Sequence, residues 1–233
     1  MSNLNALRLV SGEKVHGERY IVLSHCWGNL EPKEVLTYCT TKQNIRVRES
    51  GFADDDLPAT FLDAVKVTRA LGIYYLWIDS LCIIQQDLED WEKEAKCMEQ
   101  VYSSAYLTIA ATSATNSKSG FLKRNTNRKH VYIQNDLGQR AYIRNTVSDF
   151  DHEVGRAELI TRGWILQERV LSRRTIHFGL HQMYFECGEA VYCEDLTRMT
   201  WYELPRSFSE THIYLLTRIH LFSLAKGAIS TLN

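Results

Sequence analysis

Four near-continuous apolar, aromatic or β-branched runs mark the chain: Tyr20-Ile21-Val22-Leu23, Tyr74 to Ile78, Tyr106 to Ala110 and Thr175 to Phe178. None alternates polar with apolar, so each predicts a strand covered on both faces, as in a parallel sheet. Between them the period becomes helical. Phe61, Ala64, Val65, Thr68 and Leu71 share one face of a helix that Gly72 can end. Trp91, Ala95, Met98, Tyr102 and Ala105 form a second stripe, with Asp87 placed to cap it. A third helix is expected over 163–171. This strand–helix alternation predicts an α/β fold: a mainly parallel, doubly wound sheet flanked by helices and joined by right-handed crossovers.

Two stretches depart from the alternation. Residues 29–56 are long and polar, and read as an exposed insertion between the first strand and the first helix, a candidate lid or oligomer contact. Residues 131–144 read as an inserted β-hairpin with Asp136-Leu137-Gly138 at its turn. A further strand, Met183 to Cys187, is followed by a helical tail. Residues 1–190 are therefore read as one domain. Residues 191–233 are a helical C-terminal extension, part of the same domain or the start of a further region. The chain stops mid-element between Ile213 and Asn233, which reads as the N-terminal part of something larger.

Composition narrows the function classes. Of the 233 residues, 45% are hydrophobic and 24% charged, enough for one α/β domain with an extension. The 27 basic and 28 acidic residues leave a net charge of -1, and the basic ones are dispersed, so a nucleic-acid partner is disfavoured. Met1 to Val10 lacks the build of a signal peptide, and no apolar run approaches the roughly 20 residues that span a bilayer. The six cysteines form no CxxC pair and several sit in apolar segments, which points to a reducing, cytoplasmic setting. Cys187, Cys193 and His181 have poor zinc spacing, so no metal is expected. Neither GxGxxG nor GxxxxGK[ST] occurs, which leaves a hydride-transfer site and a P-loop without support.

Candidate chemistry follows from position. In open α/β sheets ligands bind beyond the carboxyl ends of the strands. Those ends carry Ser24-His25-Cys26-Trp27-Gly28, Asp79-Ser80 and Thr112-Ser113. On the third helix Trp164, Glu168 and Leu171 share a face and set a carboxylate between two large apolar side chains. Such a carboxylate either pairs with a buried arginine (Arg162, Arg169 or Arg173) or faces a cleft. Plainer roles stand beside these: Asp79 caps a turn, Ser24 and His25 satisfy backbone groups, Trp27 and Trp77 fill the core. A hydrolase using Cys26 or Ser24 with His25 is a third reading, weakened because adjacent strand residues point to opposite faces.

Three blocks carry a resemblance. They are Tyr20 to Gly28; Leu71 to Gln86, leading into Asp90-Trp91-Glu92 and Met98 to Ala111; and Arg162-Gly-Trp-Ile-Leu-Gln-Glu-Arg-Val-Leu-Ser172. They resemble the signature blocks of the fungal HET (heterokaryon incompatibility) domain family, over about residues 20–190. His25 stands where that family often has Tyr. The resemblance implies fungal allorecognition and regulated cell death.

A more distant resemblance, to TIR domains, rests on element order, on Leu23-Ser24 at the first strand end, and on the Trp164 to Glu168 spacing. The hairpin insertion departs from the simple TIR pattern. This resemblance implies a TIR/flavodoxin-like topology. It also implies NAD as substrate, with no cofactor, hydrolysed at the nicotinamide–ribose bond by Glu168. Trp164 would support Glu168, and Ser24, Trp27, Asp79, Ser113 and Arg162 would surround the substrate. The chemistry is coherent, because nicotinamide leaves as a neutral group and needs no general acid, unlike an ordinary glycoside. One carboxylate then suffices to stabilise the oxocarbenium charge. A homo-oligomer on activation and a sensor or partner protein are expected. The alternative is a non-catalytic homotypic interaction module.

Overall fold

A computed structural model describes residues 6–124, 130–144, 150–161 and 168–200. In chain order the strands are β1 (Ala6–Leu7), β2 (Tyr20–Ser24), β3 (Thr40–Thr41), β4 (Phe52–Ala53), β5 (Tyr75–Trp77), β6 (Ile84–Gln85) and β7 (Leu107–Ala110). They continue with β8 (His130–Gln134), β9 (Arg140–Arg144), β10 (Arg174–Phe178), β11 (Met183–Cys187), β12 (Ala190–Cys193) and β13 (Arg198–Thr200). The α-helices are α1 (Pro32–Tyr38), α2 (Ile45–Ser50), α3 (Ala59–Ala70), α4 (Asp79–Cys82) and α5 (Leu88–Ser104). Residues 168–171 are helical and are labelled α6.

The main sheet has seven strands in the order β13-β12-β11-β10-β7-β2-β5. The pairs β10–β7, β7–β2 and β2–β5 are parallel. In chain order these four strands read 2-1-3-4, the flavodoxin-like doubly wound arrangement. The fold is therefore α/β, as the alternation predicts. The other half of the sheet is antiparallel. Only short turns separate β10 from β11, β11 from β12 and β12 from β13, whereas a parallel return needs a crossover of roughly a dozen residues or more. The hairpin is present as β8 and β9.

Side-chain alternation along β2 divides the core. Ile21 and Leu23 join Leu107, Ile109, Ile176 and Phe178 against Phe61, Ala64 and Val67 of α3. Val22 faces the opposite way, onto Tyr102 and Ala105 of α5 and Leu171 of α6. Gly72, at φ +70°, lets the chain leave α3, and its N–H bonds the Arg69 carbonyl. Asp87 holds the N-cap position of α5, where its carboxylate pairs with Lys42 at 3.0 Å.

Two expectations differ from what is observed. Residues 29–56 fold into α1, β3, α2 and β4 rather than one extended insertion. Their polarity is partly internal: buried Arg48 donates to the Thr37 and Cys39 carbonyls at 2.5 and 3.2 Å, satisfying backbone that no long helix or strand covers. The expected helical extension from residue 191 begins as strand, because Val191 pairs with Glu186 and Met199 with Val191. The boundary at 190/191 thus falls inside β12. Residues 201–233 lie outside the described residues. Among the described residues no helix is long and apolar enough to cross a membrane.

Candidate functional site

The strand order reverses at β2, since β5 lies on one side of it and β7 on the other. The crevice at the carboxyl ends of β2 and β7 is the switch point where open α/β sheets bind ligands. The chain leaving β2 spreads its side chains there. His25 sets its ring edge-on to Phe61, and its Nδ1 lies 3.9 Å from Oδ1 of Asp79. Cys26 packs with Ala110 and Leu159. Partly buried Trp27 donates its indole N–H to Oδ2 of Asp79 at 2.8 Å. Gly28 is left-handed at φ +72°, and a Cβ there would sit 2.5 Å from Cβ of Asn116. Only glycine lets the loop lie this close to the chain beyond β7.

Asp79 opens α4, and its Oδ1 also accepts the Ser80 N–H at 2.6 Å. Both carboxylate oxygens are thus engaged within the protein. A second carboxylate, Glu168 of α6, is only 7% exposed. Tyr102 of α5 is 2% exposed, and Glu168 lies near enough to act on its phenol. Burial first, then the charges of Glu168 and Asp79, push that phenol well above its usual value of 10. Asp79 and Glu168 therefore both bear on the same buried phenol.

Helix α6 is pinned at two points. Ser172 donates its N–H and its hydroxyl to the Glu168 carbonyl at 3.2 and 2.7 Å, and its Oγ lies 2.8 Å from Oγ1 of Thr108 on β7. Arg169 forks onto Glu186 of β11 through two hydrogen bonds of 2.8 Å. His177 Nε2 reaches the same carboxylate at 2.6 Å. Burial works to raise the Glu186 carboxyl, but His177 and Arg169 outweigh it and hold it at about 2. Burial also lowers His177, beyond what Glu186 restores. The imidazole Nε2 faces Glu186, and its Nδ1 lies 3.4 Å from the Thr112 hydroxyl.

Between the sheet and these coverings lies a cavity of about 10 Å³, room for about one water molecule. Its walls include Ser24, Thr108, Thr175, His177 and Arg169, with Leu159 and Ile160 from the Glu158–Thr161 turn.

The sequence-predicted residues are thus partly assembled. Trp27 and Asp79 meet directly, Glu168 joins Asp79 around Tyr102, and Ser24 lines the adjacent cavity. Ser113 donates its backbone N–H to the Phe178 carbonyl of β10. Arg162 and Trp164 lie outside the described residues. Of the arginines considered for Glu168, Arg169 is engaged by Glu186 and Arg173 is exposed. Cys26 and His25, in the loop just beyond β2, pack against different neighbours. Among the described residues no group of three His, Cys, Asp or Glu is placed to hold a metal.

Tyr102, His177 and Glu186 join these residues without lying at a strand end. Each had a signal, a polar group inside an otherwise apolar stripe or strand, where burial demands a partner.

These features define a class: a doubly wound α/β domain with one carboxylate, Asp79, just beyond β5 and a second, the buried Glu168, on the helix that precedes β10. Residues 20–168 match the family "Heterokaryon incompatibility protein (HET)", a span of more than half the chain that ends on Glu168. The chain belongs to the HET family, and that membership supports a role in heterokaryon incompatibility. No curated protein and no solved structure matches it.

Proposed function

We propose that this protein is an effector of heterokaryon incompatibility that triggers cell death in the cytoplasm by cleaving NAD at the nicotinamide–ribose bond once assembled. The observation that carries the reading is the placement of Glu168 and Asp79 about Tyr102, beside the switch point of the sheet. The nicotinamide ring of NAD is a cation, and its departure leaves positive charge on the ribose. A carboxylate walled by apolar and aromatic groups stabilises both states more strongly than water does. Glu168 is the carboxylate that meets the oxocarbenium centre. Asp79, its oxygens already engaged, holds Trp27 as one wall of the site. Ser24 offers a hydroxyl to the ribose. Trp164 belongs to the site on the TIR resemblance, and Ser113 and Arg162 stand beside it as further substrate-binding candidates.

A second reading is a non-catalytic module that works through homotypic or partner contacts. The burial of Glu168 and the small size of the cavity favour it. Nicotinamide release from NAD, followed at low and at crowded protein concentration, separates the two. Release that rises with assembly supports the enzyme. Its absence in a folded, assembled sample assigns the domain to the interaction module.

A further inference from the structure

We propose that the cavity beneath the Glu158–Thr161 turn is a subsite for the neutral sugar of a nucleotide ligand, shut in this conformation by Leu159 and Ile160. The nucleotide identity of the ligand rests on the NAD reading; the subsite and its closure rest on the cavity itself.

Three observations converge. The first is position, since Ser24 and Ala110 pair across β2 and β7 at the switch point. The second is unspent hydrogen bonding. Ser24 is 4% and Thr175 3% exposed, both line the cavity, and neither hydroxyl finds a side-chain or backbone partner among the described residues. Hydroxyls that line a small cavity are open to a water or a ligand group that enters it. The third is charge. Arg169 is the cation in the wall, and the Glu186 carboxylate neutralises it through two hydrogen bonds. Burial disfavours the charged form of His177. A phosphate would find no uncompensated positive charge, whereas the hydroxyls of a sugar find donors and acceptors of matching polarity.

Size shows that the site is closed. About 10 Å³ holds a water, while ligand sites run to roughly 300–1,000 Å³. Leu159, 1% exposed, packs with Cys26 and Ala110, and Ile160 borders the same cluster. Both come from a four-residue 3-10 turn, an element with poor hydrogen-bond geometry that is easily displaced. Withdrawal of that turn would join the cavity to the crevice beside Trp27 and Asp79. Such a plug also suits an effector whose resting form must be harmless.

The test titrates ADP-ribose into the full chain by calorimetry, for wild type, Leu159→Ala and Ile160→Ala, with folding checked by thermal melts and inorganic phosphate as a control. At least tenfold tighter ADP-ribose binding is expected in whichever plug variant remains folded. That gain is expected to vanish when Ser24→Ala and Thr175→Val are added. No gain in either folded variant, a gain that survives loss of both hydroxyls, or an equal gain for phosphate alone each overturns the proposal. A cavity that merely stores a water gives the first of these results. Nicotinamide release measured on the same samples keeps the readings apart. Tighter binding without release removes the hydrolysis reading and leaves the subsite, and release without tighter binding removes only the subsite.

Discussion

Asp79 receives the Trp27 indole N–H on one oxygen and the Ser80 backbone N–H on the other, joining two segments 52 residues apart. Removing the acid leaves both donors to find new partners. Asp79→Ala is expected to cost about 1–3 kcal/mol, and Trp27→Phe, which deletes a single bond, about 1 kcal/mol. Because the two share one interaction, the double variant should lose less than the sum, by at least about 0.5 kcal/mol. Urea denaturation of the four proteins checks this; strict additivity would mean that the two side chains act independently.

Acid should weaken the fold in two stages. His177 is lowered by burial beneath its ordinary 6.5, so its share of stability is complete above that value and is lost as pH falls below it. Glu186 is lowered from 4.5 to about 2, so its share is complete above 4.5 and disappears as pH falls towards 2. Both contributions carry the same sign, and the melting temperature should decline from pH 7 downwards and more steeply below 4.5. Glu186→Gln should flatten the lower stage. A wild-type melting temperature constant from pH 7 to 4 would contradict the assignment.

Glu186 is also the group that neutralises Arg169. Glu186→Ala leaves a guanidinium, 6% exposed, without its carboxylate and should cost about 3–5 kcal/mol. Replacing both, as Arg169→Met with Glu186→Leu, should recover most of that loss because no buried charge remains. Chemical denaturation distinguishes the cases; a double variant as unstable as the single would show that the pair has a role beyond charge balance.

Gly28→Ala tests the close approach of the loop after β2. The new methyl meets Cβ of Asn116 at 2.5 Å in a left-handed backbone, so both overlap and strain arise. A loss of about 2–5 kcal/mol is expected, combining roughly 1–2 for the backbone with 1–3 for the overlap. Gly72→Ala shares the left-handed strain but meets nothing within 4 Å, and should cost less.

Much of this architecture is legible in the chain because the parallel strands lie inside the core. Tyr20 to Leu23, Tyr106 to Ala110 and Thr175 to Phe178 are covered on both faces, so their hydrophobicity is continuous and reads directly as strand. Residues 29–56 are less legible because their elements are two to seven residues long, too short for any period to emerge. β12 and β13 hide for a similar reason, set apart only by short polar turns. At the site, Glu168 and Asp79 were visible from their places on a helix face and at a strand end. Tyr102 was not, since its spacing marks it as core and only its hydroxyl distinguishes it from phenylalanine. Arg169 is one of three arginines the sequence offers Glu168, but the strand that supplies its actual partner Glu186 is antiparallel, and no local pattern places it beside α6.

Nicotinamide release from NAD by wild type and by Glu168→Gln, compared at equal folded concentration under assembly-promoting conditions, tests the central claim most directly. The account predicts release by wild type and a fall on the order of 10²–10³ in the variant, because the amide keeps the shape of the side chain but loses the charge that meets the oxocarbenium ion. Release that survives the substitution undiminished would contradict the assignment of Glu168 as the catalytic carboxylate.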